Sequence, residues 1–235
     1  IAMAEKEKLD VVAPCSGCYK NMFFTREHLT HDADLAEHIN DALAQDHLKF
    51  SGTSAVRHLI EVFVQDVGLD AIKAKVTNPL KGLRVAPYYG CQILRPRKAK
   101  EDVEQPRFFE DLVSALGAEP VHYPLRLTCC SGALIITNRE AALSMVRNLL
   151  QSAVQSKAAV IATACPLCQV NLECYQKQVN REFGTDLNVP VVYFTQLVGL
   201  ALGISPKRLG IGSELVAVMP AIREALETEP ALSAK

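Results

Sequence analysis

Short apolar runs alternate along this chain with longer segments whose apolar residues recur every three or four positions. The runs at 11–13, 83–88, 120–123, 159–162 and 189–192 are rich in β-branched residues, which predicts buried parallel strands. Segments 108–116, 140–155 and 167–183 carry helical periodicity and are expected to lay one apolar face on a core. Gly117, Gly184 and Gly203 fall where such helices should stop. The stretch 54–67 predicts a further helix, and Thr77-Asn78-Pro79 the turn before a new unit. Strand–helix alternation implies an α/β fold with mostly parallel sheets. A boundary near Asn78 divides it into units 1–78 and 79–235.

A repeat supports that division. Val11-Val12-Ala13-Pro14-Cys15-Ser16-Gly17-Cys18, with Asn21 and Met22 following, matches Ile161-Ala162-Thr163-Ala164-Cys165-Pro166-Leu167-Cys168, with Asn171 and Leu172 following. Each copy is a short strand, a C-x-x-C at the strand-to-helix turn, then an asparagine and an apolar residue. Two C-x-x-C motifs in one local frame point to a duplicated unit. The second copy has an adjacent pair, Cys129-Cys130, separated from its C-x-x-C by 34 residues. The matching position of copy one falls before Ile1. The expectation is therefore that the earlier half of copy one was removed from this chain or is supplied by another polypeptide.

Five cysteines carry the chemistry of the second half. Cys91 precedes Cys129-Cys130, and Cys165 and Cys168 follow. Each is expected where a loop leaves the carboxyl end of a strand, the edge of a parallel sheet where ligands bind. Gly90 and Gly132 would leave room for a bulky inorganic core. The following helices would offer N–H donors to its negative charge. Zinc is usually satisfied by four ligands, so five thiolates suit a polynuclear iron–sulfur cluster better. A zinc site made from four of the five is the main rival. A thioredoxin-like pair at Cys165 and Cys168 would leave Cys91, Cys129 and Cys130 without a role. Cys174 is expected to be a buried core cysteine. Cys15 and Cys18 are either half of a second cluster site or two free thiols.

Composition narrows the picture without naming a reaction. A net charge of −1 gives no attraction to nucleic acid or an acidic membrane surface. Tryptophan is absent and aromatics make up 6%, a poor stacking platform. The most apolar stretch, 189–204, is too short and too polar to span a bilayer. Eight cysteines in a chain this long favour a reducing cytoplasm over a disulfide scaffold. His58 and Glu61 share a face of the helix expected at 54–67, and His58 is a candidate proton donor. His28, His31, His38 and His47 have no metal-like spacing. Arg95, Arg97 and Lys98 form a small basic cluster after Cys91, a solvated face or a seat for a carboxylate or phosphate.

The pattern Cys91…Cys129-Cys130…Cys165-x-x-Cys168 resembles the cysteine-rich CCG domain of the B-type subunit of heterodisulfide reductase. Similar segments include Val85-Ala86-Pro87-Tyr88-Tyr89-Gly90-Cys91, Thr163-Ala164-Cys165-Pro166-Leu167-Cys168-Gln169, Tyr193-Phe194-Thr195-Gln196 and Arg57-His58-Leu59-Ile60-Glu61. The family commonly has Cys-Cys-Gly, whereas here Ser131 precedes Gly132. The resemblance implies two noncubane [4Fe-4S] clusters facing a cavity in which a disulfide is split with one electron from each. In methane-producing archaea that substrate is the mixed disulfide of coenzyme M and coenzyme B. Carried over by position, Cys91, Cys129, Cys130, Cys165 and Cys168 would hold one cluster, and Cys15 and Cys18 would contribute to the other. Electrons would arrive through two partners in the complex, a ferredoxin-like iron–sulfur subunit and a flavin-bearing subunit. Other expectations are an electron-transfer module of a different oxidoreductase complex, since CCG domains also occur in those, or a zinc-bound scaffold.

Overall fold

Two parallel sheets, each built by strand–helix crossovers, organise the computed structural model, which describes residues 1–96 and 102–227. Helix α1 (Ala2–Lys6) leads into β1 (Val11–Ala13), followed by α2 (Ser16–His31) and α3 (Ala33–Leu43), which the Asp32 side chain caps by accepting from Leu35 N–H. Strand β2 (Val56–His58) then pairs with β1 in parallel, Ala13 opposite His58. It runs without a break into α4 (Leu59–Glu61), a π-helical stretch Val62–Gly68 and α5 (Leu69–Lys75).

The second sheet holds β3 (Arg84–Tyr88), β4 (Glu119–Pro120), β5 (Val160–Thr163) and β6 (Val191–Tyr193), in the order β4-β3-β5-β6 and all parallel. Its crossovers are α6 (Phe108–Ala115), α7 (Arg139–Gln155), and α8 (Pro166–Cys174) with α9 (Gln176–Phe183). Helices α10 (Phe194–Ala201) and α11 (Met219–Glu227) follow β6. Strand residues alternate between two layers, as period-2 geometry demands. Val85, Val160 and Ala162 face a core with Leu112, Leu116 and Leu197, which also takes in Ile60 and Ile72 from before Asn78. Ala86, Tyr88 and Ile161 face the opposite core with Val146, Leu149 and Leu172.

The α/β class and parallel sheets agree with the sequence expectation. Three elements differ. The helix expected at 54–67 begins as β2, because β1 needs a backbone partner and Val56 and His58 bury on the same face while Arg57 lies between. The helix expected at 167–183 breaks at Tyr175. There the buried Gln176 side chain donates to the carbonyls of Leu172 and Val189 (3.0 and 2.8 Å) and accepts from Val189 N–H, tying the start of α9 to the segment before β6. The strand expected at 120–123 is reduced to Glu119–Pro120. Val121 N–H still reaches Val85 O (2.7 Å), but Pro87 on β3 has no N–H to continue the ladder. Among the described residues, no helix is long and apolar enough to cross a membrane.

Candidate metal centre

The chain leaves β3 for β4 on one side and returns to β5 on the other, so a topological switch point lies between β3 and β5. Cys91 stands just past β3, and Cys165 just past β5. Cys129 and Cys130 sit on the connection from β4 to α7, which side chains hold in place. Tyr88 donates to Thr128 O (2.6 Å), and the buried Asn171 amide donates to Cys130 O. Ser131 Oγ bonds Ala142 O (3.0 Å), while Ser131 N–H points at Cys129 Sγ (3.3 Å).

Ser131 has φ +62°, the left-handed conformation that glycine adopts freely and other residues adopt at a cost. It occupies the position where the resembling family carries the glycine of Cys-Cys-Gly. The strain is offset by the serine hydroxyl, which ties the loop to α7. Ser131→Gly is therefore expected to shift unfolding stability by less than about 1 kcal/mol, since relief of strain and loss of a hydrogen bond oppose each other. Ser131→Val is expected to cost about 2 kcal/mol more, because a β-branched residue gains nothing there and keeps the strain. Urea unfolding of the two variants checks the order. Gly90 takes the same left-handed turn (φ +65°) without strain, and a Cβ there would lie 3.4 Å from Cys168 Sγ.

The thiols meet in pairs. Cys165 is the N-cap of α8, and its sulfur accepts from the Cys168 thiol and from the N–H groups of Cys168, Gly17 and Leu167. These bonds pull its pKa down to about 5, with the thiol of Cys168 the largest cause. Cys130 is lowered in the same way by Cys168. Cys168 is held protonated, because it donates to Cys130 and lies against Cys165. Burial, followed by the neighbouring Cys129, raises Cys91 to about 11. Gln92 Nε2–H points at Cys91 Sγ (3.3 Å). Copy one joins the same place: Cys15 Sγ is 4.0 Å from Cys165 Sγ, and burial raises its thiol to about 11.

All eight cysteines are free. Among the described residues, no three His, Cys, Asp or Glu side chains close on one point as a cage for a single ion would. The donor set is sulfur only, with Cys130, Cys165 and Cys168 buried and Cys91 and Cys129 half-buried. That chemistry fits an iron–sulfur group better than a hard cation. The Tyr123 hydroxyl is fully buried with no hydrogen-bond partner among the described residues, and burial, followed by the nearby Glu110 carboxylate, holds it protonated. Tyr123 packs in the same core as Cys130 and Cys168, and an orphaned donor there is one that a sulfide-bearing guest would satisfy.

Other expected residues lie elsewhere. Cys18 and Cys174 are exposed; for Cys174 this corrects the expectation of a core cysteine, since it closes α8 on the solvent side. His28, His31, His38 and His47 are exposed, as is Arg95, while Arg97 and Lys98 lie outside the described residues. His58 is fully buried, one hydrogen bond away from the backbone beside Cys165. Tyr123 does not stand out in the sequence, and Tyr193 does so only within the family-like segment 193–196, which gives its hydroxyl no role. Extension of the repeat from β1 and β5 to β2 and β6 would have pointed to that role.

A cysteine-rich domain, CCG, matches residues 85–173. The B-type subunit of a ferredoxin:CoB-CoM heterodisulfide reductase from Methanosarcina mazei is 34% identical over 237 aligned residues, 99% of this chain and 79% of the relative. The membrane anchor subunit of an 8-methylmenaquinol:fumarate reductase from Wolinella succinogenes is 37% identical, covering 92% of this chain and 75% of that one. A protein from Archaeoglobus profundus, described as like the B-type heterodisulfide reductase subunit, is 27% identical, covering 89% and 72%. The crystal structure of a hypothetical protein from Helicobacter pylori superposes with a TM-score of 0.73 at 13% identity, over 92% of this chain. The present chain spans 40% of that protein, and the likeness is one of fold.

Proposed function

Because the chain belongs to the family of B-type heterodisulfide reductase subunits, an oxidoreductase family with a cysteine-rich iron–sulfur-type domain, we propose that it is the iron–sulfur catalytic subunit of a heterodisulfide-reductase-type complex. The observation that supports this reading is that Cys91 and Cys165 follow the neighbouring strands β3 and β5 at the switch point, with Cys129 beside Cys91 and with Cys168 bonded to both Cys130 and Cys165. In this proposal Cys91, Cys129, Cys130, Cys165 and Cys168 hold a noncubane [4Fe-4S] cluster. Cys15 and Cys18 contribute to a second, and units 1–78 and 79–235 are the two halves of the duplication. When bound, such a cluster supplies one-electron chemistry and iron sites that take up sulfur.

The chain's own groups do the rest. The first-turn amides of α8 and Gly17 N–H stabilise negative charge at Cys165. Tyr88, with its hydroxyl on Thr128 O, keeps the cysteine-pair loop against β3. Burial of Cys130, Cys165 and Cys168 excludes water from the thiol edge. The overall reaction balances as one disulfide, two electrons and two protons giving two thiols. The proposed electron donors are a ferredoxin-like iron–sulfur partner and a flavin-bearing partner of the same complex, in the cytoplasm.

The test is anaerobic: the full chain loaded with iron and sulfide, a chemically reduced one-electron donor, and a mixed disulfide. Two thiols released per disulfide consumed are expected, counted with a thiol reagent. The Wolinella relative favours a second reading, an electron-transfer module of another oxidoreductase complex. Normal reduction of the visible absorption without thiol release from any disulfide would select it. A zinc-only protein with four thiolate ligands would overturn both readings.

A further inference from the structure

The repeat extends in three dimensions beyond the cysteines. Ala13 stands opposite His58 in the first sheet, and Thr163 stands opposite Tyr193 in the second. Three residues later, Glu61 accepts from His58 N–H (3.0 Å) and Gln196 accepts from Tyr193 N–H (2.8 Å). His58 and Tyr193 therefore hold one and the same position in the two copies. Each side chain reaches across into the other copy. His58 Nε2 lies 3.0 Å from Ala164 O, and the Tyr193 hydroxyl donates to Pro14 O at 2.5 Å, with Ala164 O of its own copy farther off at 3.4 Å. Pro14 and Ala164 are themselves equivalent, each directly preceding the first cysteine of a C-x-x-C.

The chemistry of His58 suits this task. Its Nδ1 accepts from Ile60 N–H (3.2 Å), and a carbonyl can only accept, so the proton sits on Nε2. The ring is fully buried and acts as a neutral donor, held edge-on to Tyr19. Between the two crossing bonds, the N-terminal turns of α2 and α8 face one another. Gly17 N–H points at Cys165 Sγ, and Ser16 Oγ donates to Ala164 O (3.2 Å). Two helix N-termini brought together carry like partial charge and repel. Their approach therefore needs bonds that do not depend on the charge between them.

We propose that His58 and Tyr193 are a crosswise pair of positioning residues, each fixing the C-x-x-C turn of the opposite copy and together setting how the Cys15 and Cys165 turns face. The consequence for disulfide reduction rests on the function proposed above; the latch itself does not. Hydrogen exchange of the full chain as purified, followed by mass spectrometry, tests it. Loss of one such bond corresponds to about a tenfold rise in local exchange. Tyr193→Phe, which removes one hydroxyl, is expected to raise exchange about tenfold in the peptide after Pro14 and to leave the peptide after Ala164 nearly unchanged. His58→Leu is expected to do the reverse, and His58→Gln, which keeps an N–H donor, to restore most of the protection. A rise confined to the mutated residue's own copy, spread evenly over the chain, or absent in Tyr193→Phe would overturn the proposal. Thiol release by the same proteins keeps the two ideas apart. Crosswise exchange with no turnover even in the unsubstituted chain sinks the catalytic reading alone, and own-copy exchange with normal turnover sinks the latch alone.

Discussion

Cys130→Ala is expected to lose about one cluster, roughly four irons per chain, together with its visible absorption, while the chain stays folded. Cys130 is 5% exposed, and its thiol bonds Cys168. Its carbonyl is gripped by Asn171, so the backbone of this loop survives removal of the sulfur. Cys129 turns toward Cys91 and Ser131 N–H, and Cys174 is exposed at the end of α8. Cys174→Ala should accordingly retain full iron. Iron analysis and absorption of the two variants decide the matter; an unchanged signal in Cys130→Ala would sink the ligand assignment.

The second large effect concerns stability. Arg126 Nε donates to Glu110 Oε1 (3.2 Å), and both side chains are nearly buried. The Tyr89 hydroxyl donates to the other carboxylate oxygen and accepts from Phe109 N–H. Arg126→Met would leave the Glu110 carboxylate buried without its cation, at a cost of about 3–5 kcal/mol. Adding Glu110→Leu should recover a large part of that, because an apolar pair asks for no compensation. Chemical denaturation midpoints measure both. The backbone carbonyl of Arg126, which accepts from Tyr89 N–H and Gly90 N–H (3.0 and 3.2 Å), is untouched by either change. Cluster loading is thus expected to persist while stability falls. Equal loss of both would mean that the ion pair, and not the backbone, holds the Cys91 turn.

Several parts of this molecule could be read from local pattern. The apolar runs around Val85 and Ile161 are strands because both faces of β3 and β5 are buried, which leaves no polar alternation to obscure them. Gly117 and Gly184 end helices with positive φ, a conformation that marks its residue type in advance. The failures have equally local causes. Val56–His58 is too short a run to distinguish from the helix that follows it, and only β1 tells the backbone to extend. Gln176 looks like any surface glutamine of a helix until its amide meets the carbonyls of Leu172 and Val189. Tyr123 lay in no motif and Tyr193 only in a family-like segment that gave its hydroxyl no role, because one hydroxyl is orphaned and the other meets a main-chain atom.

The α/β class, the parallel pairing of the strands and the family were all legible without coordinates. Periodicity and cysteine spacing are properties of neighbouring residues, so they are written along the chain. Other features arise only on packing: the strand order reverses between β3 and β5, Cys15 comes within 4.0 Å of Cys165, and His58 bonds a carbonyl 106 residues away. These depend on backbone groups, which nearly every residue carries alike and which leave no mark in the order of side chains. Which carbonyl a side chain finds is settled when the two copies come together.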